Sequence, residues 1–113
     1  MAPFSNEIVG TFTPGPAAPV LLKVAGDGQP AHASAQLPTS AKNGGPLTNM
    51  TAMLVFYKTS SMEGSTPEAE IAAGTPYVSL PVTPDQAGQT VEVDVPDLIQ
   101  DGKTEYFFDA ACV

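Results

Sequence analysis

The sequence predicts an all-β fold: an antiparallel sandwich of about seven strands with an N-terminal arm. Proline and glycine together supply 22 of the 113 residues and lie between short apolar runs, so they mark many turns. Candidate strands recur roughly every ten to fifteen residues, a spacing typical of a sandwich. With 42% hydrophobic residues in a length that suits one domain, the chain can bury a core without a metal or a disulfide.

The sequence predicts an arm or extra strand at residues 1–16 and the sandwich domain at residues 17–113. The segment Glu7–Thr13 is a candidate strand, and Pro14-Gly15-Pro16 separates it from the rest of the chain. The arm residues that we expect to make assembly contacts are Glu7, Ile8, Val9 and Phe12.

Six further strands are predicted in the body, at Pro19–Val24, Ala31–Leu37, Thr48–Lys58, Tyr77–Val82, Thr90–Val95 and Lys103–Val113. The second is a weak strand former because it is rich in alanine. The third is almost continuously apolar, which predicts a central strand covered on both faces or a face that meets a partner. Pro81 predicts an edge position for the fourth. Between Ser60 and Thr75 a surface loop is favoured over a single helical turn at Pro67–Gly74.

Several short motifs resemble a fibronectin type III-like domain, an immunoglobulin-like sandwich. The matching segments are Pro16–Val24 (first strand), Asn43–Thr48 and Val55–Lys58 (B–C turn and C strand), and Leu98, Gly102, Tyr106, Phe108 and Ala110 (E–F corner and F strand). The resemblance implies that Leu98, Gly102 and Tyr106 form a structural corner, with the Tyr106 hydroxyl bonded back to the main chain. The chain departs from the family in lacking tryptophan, with Leu37 near that position, and in its longer Ser60–Val82 segment.

The family's last strand has no counterpart, so the resemblance implies an unpaired edge along Thr104–Val113. The arm could pair with this edge in its own chain, or with the edge of a neighbouring subunit. Alternatively, the charges of Lys103, Glu105 and Asp109 could protect the edge. The residues assigned to this open-edge strand are Glu105, Phe107 and Asp109.

No catalytic constellation is predicted, so we expect no enzyme activity. His32 is the single histidine, and although Ser34 would share its strand face, no acidic partner is indicated by the sequence. One histidine and one cysteine are too few for a zinc site, and we expect no cofactor and no metal. Calcium at a turn containing Asp94, Asp97 and Asp101 stays open as an alternative to solvated carboxylates.

The net charge of −8, with no arginine, argues against nucleic acid and anionic membranes as partners, and no apolar run is long enough for membrane insertion. We therefore expect a protein partner, in a homo-oligomer or a larger assembly. The leading hypothesis is a structural subunit similar to decoration or tail proteins of bacterial viruses, located in the virion. The alternative is an adhesion or carbohydrate- or protein-binding module that acts through the loops Gly26–Ala31, Lys42–Leu47 and Pro96–Lys103.

Overall fold

Two small antiparallel sheets form the body of the protein. The computed structural model describes residues 16–25, 31–96, 98 and 103–113. The strands are β1 (Val20–Ala25), β2 (Ala31–Gln36), β3 (Ala52–Lys58), β4 (Tyr77–Pro81), β5 (Thr90–Val95) and β6 (Phe107–Cys112), and the helix is α1 (Pro67–Ala72). The sheets have the orders β1-β2-β5 and β4-β3-β6. The all-β prediction is therefore confirmed at this level, with six strands in the described residues.

One core lies between the two sheets. Strand β2 contributes Ala31, Ala33 and Ala35, and β3 contributes the larger Met53 and Val55. The alanines are almost wholly buried, which explains why a weak strand former holds a central position in its sheet. Small side chains on β2 leave room for large side chains on β3, so the two sheets interdigitate.

Strand β3 is buried on both faces, as its continuous apolar run predicts. Its inner face packs into the core between the sheets, whereas Leu54 and Phe56 form a second cluster on the outer face with Met62 and Ala111. The chain that follows β3 therefore covers the outer side of the β4-β3-β6 sheet.

The prediction of a surface loop between Ser60 and Thr75 is wrong where α1 forms. Thr66 caps the helix by accepting a hydrogen bond from the Ala69 amide at 3.1 Å, and Pro67 occupies the first turn. Gly74, with a φ of +79°, follows the last turn. These local signals act together with the tertiary contacts of Glu70, which hold the six-residue helix against β3.

The boundaries of the strands differ from the predicted boundaries by only a few residues. Strand β5 spans Thr90–Val95 as predicted, and β4 is an edge strand that ends at Pro81. The last strand is shorter than Lys103–Val113, since β6 begins at Phe107. The arm residues Glu7, Ile8, Val9 and Phe12, and also Asp97, Asp101 and Gly102, lie outside the described residues.

Candidate functional site

The candidate site is the edge of β6 that faces away from β3, which pairs with no other described strand and is called the open edge below. Val113 and Ala52 exchange two backbone hydrogen bonds, of 2.9 and 3.1 Å, at the end of the β3–β6 ladder. Because hydrogen-bonded pairs alternate along an antiparallel ladder, residues 107, 109 and 111 bond to β3. The N–H and C=O groups of Phe108, Ala110 and Cys112 point to the opposite side, where no strand of the described chain pairs with them.

A groove of about 640 Å³ runs beside this edge. We call it the β6 groove. It is lined by Pro16, Ala17, Ala18, Lys42, Asn49, Phe56, Met62, Ser65, Thr66, Pro67, Glu68, Glu70 and residues 109–113. One wall is thus the chain that leads into β1, and the other is the segment that contains α1. On β6 the lining includes Ala110 and Ala111, whose small side chains leave room beside the backbone of the strand.

A partly buried ion pair fixes the α1 wall to the sheet. The Lys58 ammonium lies 2.6 Å from a Glu70 carboxylate oxygen, and the Thr75 hydroxyl donates to the same oxygen at 2.8 Å. Ser65 donates to the other oxygen. The hydrogen bonds from Lys58, Ser65 and Thr75 lower the pKa of Glu70 to about 2 against the opposing effect of burial. Glu70 therefore stays ionised and ties three parts of the chain together.

Cys112 lies on the β6 groove and also touches the core between the sheets. Its thiol is free and half-buried, and burial raises its pKa to about 11. The thiol is consequently protonated at neutral pH and behaves as a small apolar side chain.

The other three sheet edges each carry a feature that opposes strand pairing. In strand β4, Pro81 is one of the residues whose backbone groups point away from β3. This follows from the hydrogen bonds between residues 51 and 82 and between residues 57 and 76, because hydrogen-bonded pairs alternate along an antiparallel ladder. Strand β1 has a register shift between Leu21 and Lys23. Strand β5 presents exposed Glu92 and Asp94. Strand β6 has neither a proline nor an irregularity in its pairing register.

The predicted open-edge residues divide between strand and loop. Phe107 and Asp109 lie in β6 but use their backbone groups toward β3, while Glu105 lies before the strand and is exposed. The edge-facing backbone groups belong instead to their neighbours. The alternation of the ladder could have been inferred from the sequence only if the pairing register with β3 had been known.

Leu98 and Tyr106, two of the predicted corner residues, are half-buried and pack against the core between the sheets. The Tyr106 ring meets Tyr57 edge-on at a centroid distance of 6.4 Å and lies 6.3 Å from Phe108. Tyr106 thus helps to fix the start of β6 against β3.

The structure gives His32 and Ser34 acidic neighbours that the sequence did not indicate. Across the β2–β5 ladder, His32 is opposite Asp94 and Ser34 is opposite Glu92. The Ser34 hydroxyl donates to Glu92 at 3.5 Å, not to His32. Because a hydroxyl has a single hydrogen to donate, this bond leaves none for the imidazole, and the nucleophile–base contact of a hydrolytic triad is not formed between Ser34 and His32.

The described residues next to the three loops of the predicted binding module lie at two ends of the β1-β2-β5 sheet. The described ends of β1 and β2 that flank residues 26–30 lie beside the end of β5, from which Pro96 continues. Lys42–Leu47 follows the other end of β2, where Ser40 pairs with Pro46. The described strand ends that flank residues 26–30, together with Pro96, therefore lie at the opposite end of the β1-β2-β5 sheet from Lys42–Leu47.

Within the described ranges, no group of three or more histidine, cysteine, aspartate or glutamate side chains is placed to hold a metal ion. Asp94 is the one described member of the predicted calcium turn. None of the helices in those same ranges has the length and apolar character needed to cross a membrane.

Comparisons with protein-family models, with curated proteins and with solved structures find no match for this chain.

Proposed function

We propose that this protein is a non-catalytic structural subunit that assembles by accepting a β-strand from a protein partner on the open edge of β6. The observation that carries the proposal is the contrast between the edges. Three described edges carry a proline, a register shift or two exposed acidic residues, whereas β6, with Asp109 as its one charged residue, offers the backbone groups of Phe108, Ala110 and Cys112 beside a groove. Strand addition uses such an edge for affinity and the adjoining groove for specificity.

The fold that we propose is fibronectin type III-like. The sheet orders β1-β2-β5 and β4-β3-β6 correspond to the A-B-E and C′-C-F strands of an immunoglobulin-like sandwich. In that correspondence β6 is the F strand, and the β6 groove occupies the position of the strand that would follow it in the sheet. Completion of the sheet by a partner strand would give the seven strands that the sequence predicts.

The proposed setting is the surface of a virus particle, as a capsid decoration or tail protein. It is supported by the resemblance stated above and by the acidic surface, which opposes non-specific association with other acidic molecules. Neighbouring genes that encode capsid or tail proteins would favour this setting. A secreted multidomain protein as the parent of this chain would contradict it.

Proline substitution at the two edges of one sheet tests the proposal. In Ala110→Pro, the lost N–H is one that points to the open side of β6, so the ladder with β3 is kept. In the matched control Ser79→Pro, the lost N–H points to the open side of β4. We expect intact chain and Ser79→Pro to form the same oligomer in light scattering after size exclusion, and Ala110→Pro to be a monomer.

Circular dichroism and thermal melting of each variant separate a blocked edge from a failed fold. Should Ala110→Pro fail to fold, Cys112→Pro removes another open-side N–H near the end of β6, where it disturbs less of the strand. Two results would contradict assembly through β6. One is a folded edge variant that assembles like the intact chain, and the other is an intact chain that stays monomeric in the absence of other proteins.

A further inference from the structure

We propose that the strand accepted on the β6 edge is Glu7–Thr13 of a second copy of this chain, running antiparallel to β6. This inference rests on the proposed function and names its partner. The described chain begins at Pro16, and Pro16, Ala17 and Ala18 line the β6 groove. The arm therefore leaves each molecule beside the edge of the sheet that needs a strand.

The pairing registers fix the direction in which an arm could return to its own edge. The start of β1 pairs with the end of β2 and thereby lies at the start of β5. Along the chain, the start of β5 follows the end of β4. In the other sheet, the end of β4 and the end of β6 both pair with the start of β3. Because Pro16 thus stands at the end of β6, an arm that folds back on its own molecule runs parallel to β6.

Such a return would require a reversal within Pro14 and Gly15. The backbone of Pro16 and Ala17 is already held by the bridge to Ala41 and by the hydrogen bond from the Ala17 amide to Ser40. Proline fixes its own φ and biases the preceding residue toward extended conformations. Both Thr13 and Gly15 precede a proline, so the sequence favours an arm that continues away from its own body.

The arm of a second copy is not limited to the parallel direction and needs no reversal at Pro14 and Gly15. It can enter antiparallel, which gives the more stable ladder per residue. Two copies that exchange arms reciprocally form a closed, two-fold symmetric interface.

The chemistry of the arm suits the groove. Of the twelve acidic residues only Glu7 lies in residues 1–15, so the arm can approach an acidic copy with little repulsion. The arm contributes the apolar side chains of Ile8 and Phe12, and the lining of the groove on β6 includes the apolar Ala110 and Ala111. Apolar side chains of the arm can therefore be buried against the groove.

Disulfide trapping with Cys112 tests both the identity and the direction of the strand. Cys112 is the single cysteine of the chain and lies on the β6 groove. An antiparallel arm brings Ile8 toward the end of β6, whereas a parallel arm brings Thr13 there. After oxidation with copper–phenanthroline, we expect Ile8→Cys to give covalent dimers on a non-reducing gel, and Thr13→Cys to give few.

The same variants in a Cys112→Ala background are the controls, and they should remain uncrosslinked. Intrachain disulfides, detected by mass spectrometry as monomers with no free thiol, would overturn the proposal in favour of pairing within one molecule. Covalent dimers formed by Thr13→Cys and not by Ile8→Cys would overturn the antiparallel direction.

Deletion of residues 1–13 distinguishes a failure of this inference from a failure of the proposed function. We expect the truncated chain to be a folded monomer. If it assembles as the intact chain does, the arm is not the accepted strand, although assembly through β6 stands. If the intact chain never assembles while the arm crosslinks within one molecule, both proposals fail.

Discussion

Glu70 decides how the α1 wall of the β6 groove is held. Its carboxylate accepts from Lys58, Ser65 and Thr75, so it joins β3 to the segments on both sides of the helix. A helix of six residues is too short to be stable without such contacts. We therefore assign to Glu70 the positioning of the α1 wall, and through it the shape of the groove.

The pKa of Glu70 predicts a pH dependence of stability. Since the folded chain lowers this pKa from 4.5 to about 2, the contribution is complete above pH 4.5 and disappears as the pH falls through about 2. Glu70→Gln should lower the melting temperature at pH 7, and the difference from the intact chain should shrink towards pH 2. Glu68→Gln, an exposed change in the same helix, is the control and should melt like the intact chain at both pH values. An unchanged difference between pH 7 and pH 2 would show that the carboxylate charge is not the cause.

The thiol of Cys112 should react slowly in the folded chain. Burial raises its pKa from 9.0 to about 11, so the thiolate fraction at pH 8 falls roughly 100-fold relative to an unperturbed thiol. Alkylation by iodoacetamide at pH 8 should be slower by about that factor than in guanidinium chloride, and should accelerate as the pH rises towards 11. Equal rates in the folded and unfolded chains would contradict the burial of this thiol.

Among the elements, β3 and β5 were the most predictable from sequence because their patterns are unambiguous. A run from Met53 to Tyr57 without a polar residue fits burial on both faces, and the alternation of Thr90–Val95 fits a strand with one exposed face. Pro81 correctly predicted an edge, since a proline lacks the N–H that an inner strand must donate.

The helix α1 and the edge-facing residues of β6 were not predictable in the same way. The helix depends on a long-range contact, because the partner that holds Glu70 is Lys58 on β3. The choice of Phe108, Ala110 and Cys112 as the edge-facing set depends on the pairing register with β3. Local pattern carries neither kind of information, so the sequence predicts that Phe107 and Asp109 belong to an edge strand but not which backbone groups of that strand face outward.

At the scale of the whole molecule, the sandwich protects its edges unequally. The pattern of polar and apolar residues buries one core and leaves a polar outer face on the β1-β2-β5 sheet, where His32, Ser34, Glu92 and Asp94 lie. The opposite sheet has an outer face covered by the α1 segment and, at β6, an edge with neither a proline nor a register shift. Because the β6 groove lies beside this edge, it is the edge at which we propose that another strand is added.

Strand addition at β6 can be measured by residue-resolved amide hydrogen exchange on the intact chain, at concentrations above and below the assembly midpoint. We predict that the Phe108, Ala110 and Cys112 amides are protected only at the high concentration, because they pair with a strand of another molecule. The amides of Asp109 and Ala111 bond to β3 and should be protected at both concentrations, which makes them an internal control. Rapid exchange of the three edge amides in the assembled protein would contradict assembly through β6, and protection that does not change with concentration would contradict a strand supplied by a second copy.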